Sequence, residues 1–310
     1  MRLEALPELA PPQRLRVAGV DLWVCDDPLP GFPYGGNKVR KLAGVLPEAL
    51  AEGATDLLTF GAVGSHHVLA TALYARRVGL RTHVVFIGQP ATPHVERQAR
   101  RNLAHVASWG ACGHLAELPA VTARRVAHVV RHHGRVPFRV PPGGSSPAGT
   151  VQWVVAGRRL AASLPPHCEV VVAAGSGGTA AGLWAGGCRV RAVRVGPRAL
   201  VNRRRLRSLG RAAANRLGLA AADPGLLTVD GGFAAGGYGR VDARTRAAWE
   251  AGVAAGLAVE TTYTAKALAA ALVRSEQGEV CFVQTASDRA PDAGGEALPV
   301  AIEALMRGRW

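Results

Sequence analysis

The stretch EVVVAAGSGGTAAG, residues 169–182, decides the fold class. It opens with a short apolar run, passes through a turn rich in glycine, and ends in alanines that favour a helix. Glycines in such a turn let backbone N–H groups approach a phosphate, and the N-terminus of the following helix attracts an anion. The stretch therefore predicts a buried strand, a turn that can bind phosphate, and a helix. A tight strand-to-helix turn without a ligand is the alternative.

Similar short apolar runs recur along the chain and predict buried parallel strands at 56–60, 82–88, 169–175, 190–196 and 279–285. The segments between them show helical spacing. One apolar helix face consists of Leu42, Val45, Leu46, Ala49 and Leu50. Pro47 lies within that pattern and is expected to break or restart the helix. Strands that alternate with helices predict an α/β architecture with covered parallel sheets.

The segment VPPGGSSPAG, residues 140–149, is the best candidate for a domain boundary because prolines, glycines and serines concentrate there. All ten histidines lie between positions 66 and 167, so the composition also changes nearby. We expect a larger domain of residues 1–49 and 146–310 and a smaller domain of residues 50–145.

The basic residues of this 310-residue chain are unevenly divided, because only three of the 37 are lysines: Lys38, Lys41 and Lys266. The net charge is +15, but no basic run exceeds three residues, and no basic stretch is interleaved with aromatics. We therefore expect no nucleic-acid partner. The five cysteines are widely spaced, and no signal peptide or membrane span is recognisable, which predicts a cytoplasmic protein with no membrane association.

The glycine turn satisfies the loose dinucleotide pattern through Gly175, Gly177 and Ala180. Dinucleotide sites usually need an acidic residue about 20 positions further on, to bind the ribose. Residues 170–222 contain no Asp or Glu. The turn therefore favours a ligand with a lone phosphate over NAD.

The segment YGGNKVRKL, residues 34–42, contains two of the three lysines. An arginine cannot form a Schiff base, whereas a lysine amine can be tuned to do so. A lysine retained in an arginine-rich chain therefore points to a covalent role for Lys38. A solvated cation at a helix start is the alternative.

The segment FGAVGSHHVLATA, residues 60–72, is another junction between a strand and a helix. Ser65 can cap the helix while the following N–H groups bind a carboxylate, although a cap without a ligand is equally consistent. The histidine pairs in the chain (His66 with His67, His128 with His132) lack further ligands at a recognisable spacing, so we expect no metal site.

These segments occur in a fixed order together with PPGGSSPAG (141–149), GSGGTAAGL (175–183), GGYG (236–239) and ETTYTAKA (260–267). In that order the chain resembles pyridoxal-phosphate (PLP) enzymes of fold type II, most closely the group of D-cysteine desulfhydrases and 1-aminocyclopropane-1-carboxylate deaminases. The resemblance implies the tryptophan synthase β-like fold, with two three-layer α/β/α domains and mostly parallel sheets. It also implies a homodimer.

The resemblance assigns the cofactor site residue by residue. Lys38 matches the lysine that binds PLP covalently and later moves protons at the substrate carbon. Asn37 precedes it, and Thr285 matches the hydroxyl residue that faces the pyridine nitrogen. The phosphate cradle matches Gly175, Ser176, Gly177, Gly178 and Thr179.

The resemblance also assigns residues on the substrate side of the site. Ser65 matches the serine beside the substrate carboxylate, and Tyr263 and Tyr238 match two tyrosines on the substrate side. A phenol with a pKa of about 10 acts in acid–base chemistry only if its surroundings lower that value. His66 stands where the family carries an asparagine that contacts the cofactor's phenolic oxygen, so either His66 takes its place or that contact is lost.

Thr264 favours one activity within the group, because an acidic residue follows the tyrosine in the cyclopropane-opening deaminases and threonine follows it in the D-cysteine desulfhydrases. The resemblance thus implies β-elimination from D-cysteine to give pyruvate, ammonia and sulfide. Deamination of 1-aminocyclopropane-1-carboxylate is one alternative. A PLP-binding protein without turnover is another, which His66 and the residues Ala286–Asp288 support because they replace family residues.

Overall fold

The computed structural model describes residues 6–27, 29, 32–87, 93–115, 118–220 and 222–286. These residues form two compact units, a smaller one of residues 45–144 and a larger one of residues 6–44 and 145–286. One division between the units therefore follows Gly144, within the glycine-rich segment at 140–149. Residues 287–310, which the domain prediction assigns to the larger domain, lie outside the described residues.

The described strands and helices alternate along most of the chain. The strands are β1 (Gln13–Val17), β2 (Val20–Cys25), β3 (Asp56–Ala62), β4 (Arg81–Ile87), β5 (Cys112–Leu115), β6 (Pro137–Arg139), β7 (Glu169–Ala174), β8 (Arg189–Arg194), β9 (Leu227–Asp230) and β10 (Val280–Val283). The helices are α1 (Asn37–Ala51), α2 (His66–Arg77), α3 (Pro93–Ser108), α4 (Pro119–His132), α5 (Pro147–Ser163), α6 (Gly178–Ala185), α7 (Arg203–Asn215), α8 (Ala243–Ala254) and α9 (Thr264–Ser275). Short 3-10 turns occupy Pro142–Gly144 and Pro224–Leu226.

The larger unit is built on a six-stranded sheet in the order β1-β2-β10-β7-β8-β9. Strands β1 and β2 pair antiparallel, and the other neighbours pair parallel. The carboxyl ends of the parallel strands consequently meet at one edge of the sheet, which is the edge where α/β proteins bind ligands. The glycine-rich turn follows β7 at this edge.

Helices cover both faces of that sheet because β7 is apolar at every position after Glu169. Val170 and Val172 pack into a core with α5, α6 and α7. Val171 and Ala173 pack into a second core with α8 and α9. Alternate residues of a strand point to opposite faces, so the unit consists of a helical layer, a sheet and a second helical layer.

The smaller unit contains a four-stranded parallel sheet in the order β5-β4-β3-β6. Leu58 and Phe60 of β3 pack with Val85 of β4 against Val126 and Val130 of α4. Helix α2 packs on β3 and β4 and also contacts α3. The two sheets confirm the predicted α/β class with mostly parallel strands.

All five predicted strands are present, as β3, β4, β7, β8 and β10. Strand β10 ends at Val283, so Thr285 lies two residues beyond the strand rather than within it. Gly88, the last residue of the predicted 82–88 strand, lies outside the described residues.

The expectation that Pro47 breaks or restarts the first helix is wrong, because α1 continues through Pro47 from Asn37 to Ala51. A proline inside a helix costs about 3 kcal/mol through its missing N–H and its ring. The apolar face outweighs this cost, since each large buried side chain contributes about 1.5–3 kcal/mol. That face contains the buried residues Leu42, Val45, Leu46 and Ala49, whereas Leu50 is 45% exposed.

None of the described helices combines the length and the apolar character that crossing a lipid bilayer requires.

Candidate active site

The glycine-rich loop after β7 leads into a helix N-terminus on which two polar side chains pack closely. Gly177 adopts a left-handed φ of 86°, and α6 begins at Gly178. The Gly178 N–H donates a hydrogen bond to Ser145 Oγ at 3.1 Å. A Cβ atom at Gly178 would lie 2.6 Å from Ser145 Oγ and 3.0 Å from Lys41 Nζ. The glycine therefore lets Ser145 and Lys41 approach this helix N-terminus, where the helix dipole and backbone N–H groups favour an anion. We call this place the anion space.

Lys41 brings a buried amine to the anion space. Its side chain is 2% exposed, and its Nζ donates to Ser145 Oγ at 3.1 Å and to Ser176 Oγ at 3.5 Å. Burial and the nearby Lys38 ammonium hold the pKa of Lys41 well below its ordinary value. A bound phosphate would favour the charged form of this lysine and offset the cost of burying it.

Asn37 connects the start of α1 to the glycine-rich loop and to the segment after β10. Its Nδ2 donates to Thr179 Oγ1 at 3.1 Å, and its Oδ1 accepts a hydrogen bond from Lys38 Nζ at 2.8 Å. Its backbone N–H donates to the Thr285 carbonyl at 3.3 Å. Three segments that are distant in sequence thus meet at one buried asparagine, and these hydrogen bonds join four of the residues predicted for the cofactor.

The Lys38 amine lies in surroundings that favour its neutral form. Burial lowers its pKa to about 8, and the Glu260 carboxylate opposes this shift. A lysine with a pKa of 10.5 is almost wholly protonated near neutral pH, whereas with a pKa of about 8 roughly a tenth of Lys38 is neutral at pH 7. A neutral amine is a nucleophile and a base, so Lys38 is suited to covalent chemistry with a carbonyl group.

The two predicted substrate-side tyrosines lie together in the larger unit. The rings of Tyr238 and Tyr263 pack edge to face with centroids 5.5 Å apart. The Tyr263 ring lies against Gly175, where a Cβ atom would come within 2.6 Å of Tyr263 Cε1. Burial raises the pKa of both phenols, that of Tyr263 well above its ordinary value. Both therefore keep their protons and act as hydrogen-bond donors rather than bases.

Glu260 fixes the turn that carries Tyr263. Its carboxylate accepts hydrogen bonds from the N–H groups of Thr262, Tyr263 and Thr264 at 2.7, 2.9 and 2.9 Å. The Glu260 N–H in return donates to Thr264 Oγ1 at 2.8 Å. The threonine that favours one activity in the family resemblance is thus bonded to Glu260 at the start of α9.

Ser65 and His66 belong to the smaller unit. Ser65 is the N-cap of α2, and its Oγ accepts a hydrogen bond from the His67 N–H at 3.2 Å. His66 is half-buried in the first turn of that helix. His67 is buried and lies 2.8 Å from Thr59 Oγ1 through its Nε2, so it serves the core of the unit.

No group of three or more His, Cys, Asp or Glu side chains is placed to hold a metal ion among the residues that the structure describes.

The residues of the larger unit fit PLP. The space beside Gly178 suits its phosphate, and Lys38 provides an amine for its aldehyde. Lys41, Ser145 and Glu260 were not assigned roles by the sequence analysis. Lys41 carried a signal, since it is the second lysine of the 34–42 segment, whereas Ser145 and Glu260 are ordinary surface residue types that only the fold brings to the site.

Comparison with known proteins identifies a family and relatives that match nearly the whole chain. The family model described as "Pyridoxal-phosphate dependent enzyme" matches residues 3–283. A relative from Pyrococcus horikoshii, described as a candidate 1-aminocyclopropane-1-carboxylate deaminase, is 32% identical over 92% of this chain and 91% of its own. A D-cysteine desulfhydrase from Salmonella choleraesuis is 30% identical over 91% and 90%.

A solved structure shows the same fold. The crystal structure of a homologue of 1-aminocyclopropane-1-carboxylate deaminase superimposes with a TM-score of 0.77 and 28% identity, over 92% of this chain and 91% of that one. The predicted fold type II and the resemblance to this group are thereby confirmed. The chain belongs to the family of pyridoxal-phosphate-dependent enzymes.

Proposed function

We propose that this enzyme catalyses β-elimination from D-cysteine, in which one water is consumed and pyruvate, ammonia and sulfide are released. The observation that carries the proposal is the Lys38 amine, whose pKa burial lowers to about 8, beside a cradle for a phosphate. The D-cysteine desulfhydrase from Salmonella choleraesuis, similar along nearly the whole chain, supports the choice of substrate.

The larger unit supplies the groups that would hold PLP. The Gly178 N–H, the Ser176 and Thr179 hydroxyls and the Lys41 ammonium would bind the phosphate, and Gly175 and Gly177 shape the loop. Asn37 would orient Lys38 through the 2.8 Å hydrogen bond between them. Thr285 would face the pyridine nitrogen with a neutral hydroxyl. When bound, PLP supplies an electron sink for the negative charge that develops at the substrate Cα.

Protons at the substrate would be moved by Lys38. In its neutral form, Nζ takes the proton from the substrate Cα, and the sulfur then leaves from Cβ as hydrosulfide. Tyr238 and Tyr263 keep their protons and would donate hydrogen bonds on the substrate side. Ser65 would bind the substrate carboxylate at the start of α2, and His66 would contact the phenolic oxygen of PLP.

Thr264 favours D-cysteine over 1-aminocyclopropane-1-carboxylate as the substrate. A threonine has no carboxylate, so position 264 lacks the acidic side chain that the cyclopropane-opening deaminases carry there. The Pyrococcus horikoshii relative supports the deaminase as the second candidate, because its description names that activity.

Product analysis separates these activities. The purified enzyme loaded with PLP is incubated with D-cysteine, L-cysteine, D-serine or 1-aminocyclopropane-1-carboxylate, with Lys38→Ala as the inactive control. We expect equal amounts of sulfide and pyruvate from D-cysteine. Formation of 2-oxobutyrate from the cyclopropane substrate without sulfide release from D-cysteine would replace the proposal by the deaminase. Bound PLP without any product would identify a protein that has lost turnover.

We also propose that the enzyme is a cytoplasmic homodimer. The arrangement implied by the family resemblance supports the dimer, and the widely spaced cysteines support a reducing compartment. Sedimentation equilibrium should give twice the chain mass of 32.2 kDa. A mass of one chain at micromolar concentrations would contradict the dimer, and recovery of the native protein with the membrane or periplasmic fraction would contradict the location.

A further inference from the structure

Lys266 is the third lysine of the chain, and its side chain is fully buried on α9. Its Nζ donates hydrogen bonds to the carbonyl oxygens of Ala234 at 3.0 Å and Gly237 at 2.7 Å. Both carbonyls belong to residues 231–240, which connect β9 to α8 and which we call the Tyr238 loop. Lys266 therefore ties α9 to the Tyr238 loop.

The backbone of the Tyr238 loop has an unfavourable conformation. Ala235, Gly236 and Gly237 are consecutive and have φ values of 52°, 80° and 129°. A left-handed alanine is uncommon, and such conformations persist only where the surroundings hold them. A hydrogen bond from the Gly237 N–H to the Ala234 carbonyl, at 2.9 Å, closes the turn, and Lys266 binds the carbonyls at both ends of it.

An ammonium suits this position better than a guanidinium. It is compact, and its three N–H donors can point at two carbonyls without the planar fork that arginine requires. Burial lowers the pKa of Lys266 to about 8, while the Glu260 and Asp242 carboxylates favour its charged form. A buried amine that costs free energy is retained here, in a chain that otherwise uses arginine for all but three of its 37 basic residues.

Helix α9 connects Lys266 to Tyr263. Tyr263 directly precedes α9, and Lys266 lies within the first turn of that helix. Tyr238 follows Gly237 directly and packs edge to face on Tyr263. A contact that fixes the Gly237 carbonyl relative to α9 therefore also fixes the Tyr238 ring relative to Tyr263.

We propose that Lys266 is a positioning residue that holds the Tyr238 loop on α9 and thereby fixes Tyr238 against Tyr263 on the substrate side of the site. The part that concerns substrate rests on the proposed function. The anchoring of the loop does not.

The test compares Lys266→Met with Arg274→Met, a control that removes a cation from the last turn of the same helix. Arg274 bonds to Glu169 and lies outside the residues assigned to the site. The first measurement is hydrogen–deuterium exchange of peptides that cover residues 231–240. We expect faster exchange there in Lys266→Met, with no change in residues 169–185, and wild-type exchange of the Tyr238 loop in Arg274→Met.

The second measurement is a double-mutant cycle with Tyr238→Phe on the PLP-loaded enzyme. Misplacement of a substrate-side group lowers kcat/KM by about ten- to a hundredfold, so Lys266→Met should do so while PLP remains attached. In the Tyr238→Phe background the further loss should be under about threefold, because the two residues act as one unit. Independent, additive losses would overturn the positioning role.

Failure of the proposed function and failure of the anchoring give different results. A wild-type enzyme without turnover, combined with faster loop exchange in Lys266→Met, would remove the proposed function and leave the anchoring in place. Unchanged exchange and unchanged kinetics in Lys266→Met would overturn the anchoring itself. If Lys266→Met does not fold, Lys266→Gln is used in its place, because glutamine is also shorter than lysine. The same outcomes then decide.

Discussion

Each of the three lysines of this chain lies at a position that uses a property of a primary amine that a guanidinium lacks. Lys38 has a neutral fraction that can react with a carbonyl group, since burial lowers its pKa to about 8. The compact Lys41 amine lies beside Gly178, and Lys266 bonds two backbone carbonyls. An arginine stays protonated and needs a planar arrangement of acceptors, so it would not replace any of the three.

The pH dependence of PLP attachment tests the environment of Lys38. Only the neutral amine attacks the aldehyde, so the initial rate of attachment to the cofactor-free protein should rise with pH through the lowered pKa and be half-maximal near pH 8. Borohydride trapping at timed intervals over a pH series measures this rate. Glu260→Gln removes the carboxylate that favours the ammonium and should move the midpoint to lower pH. A midpoint near the ordinary value of 10.5 would contradict the account.

Replacing either of two glycines in the glycine-rich loop by alanine should impair the enzyme, but in a different way at each position. In Gly178→Ala the new Cβ would lie 2.6 Å from Ser145 Oγ and fill the anion space, so the affinity for PLP should fall. In Gly175→Ala it would lie 2.6 Å from Tyr263 Cε1, so kcat/KM should fall by about ten- to a hundredfold while PLP affinity changes little. Equilibrium titration with PLP and steady-state kinetics separate the effects. Identical defects in both variants would contradict this division of roles.

At the scale of elements, the periodicity of apolar residues carried much of the prediction. The valine-rich run of β7 and the glycine-rich turn that follows it identified a strand, a turn and a helix N-terminus. Pro47 shows the limit of local rules, because tertiary burial of the α1 face outweighs the proline. Ser145 shows another limit, since its hydrogen bond to Gly178 joins residues 33 positions apart and has no local signature.

Ser65 and Asn202 provide a matched pair of helix caps. Ser65 caps α2 through a hydrogen bond from the His67 N–H, and Asn202 caps α7 through one from the Arg205 N–H. Replacing either by alanine should lower the free energy of unfolding by about 1 kcal/mol. Only Ser65→Ala should also raise KM, because Ser65 is proposed to bind the substrate carboxylate. Thermal unfolding and steady-state kinetics measure the two effects. Equal kinetics in both variants would show that Ser65 is merely a cap.

At the scale of the whole molecule, the charge is concentrated in one part of the sequence. Residues 170–222 contain ten arginines and no acidic residue, so they supply +10 of the net +15. Arg203, Arg204, Arg205 and Arg211 of α7 are exposed, whereas Arg191 of β8 is paired with Glu169 and Asp230. The segment begins just before the anion space at Gly178. The segment belongs to the larger unit, which also carries Gly178, so we expect its charge to favour an anionic cofactor and substrate there.

The most direct test of the central claim locates PLP on the chain. The enzyme is incubated with PLP, reduced with borohydride, digested and analysed by mass spectrometry. Because the chain has only three lysines, each modified peptide identifies one of them. We predict one pyridoxyl group per chain, on Lys38, and none on Lys38→Arg. Attachment to Lys41 or Lys266, or no attachment at all, would contradict the account.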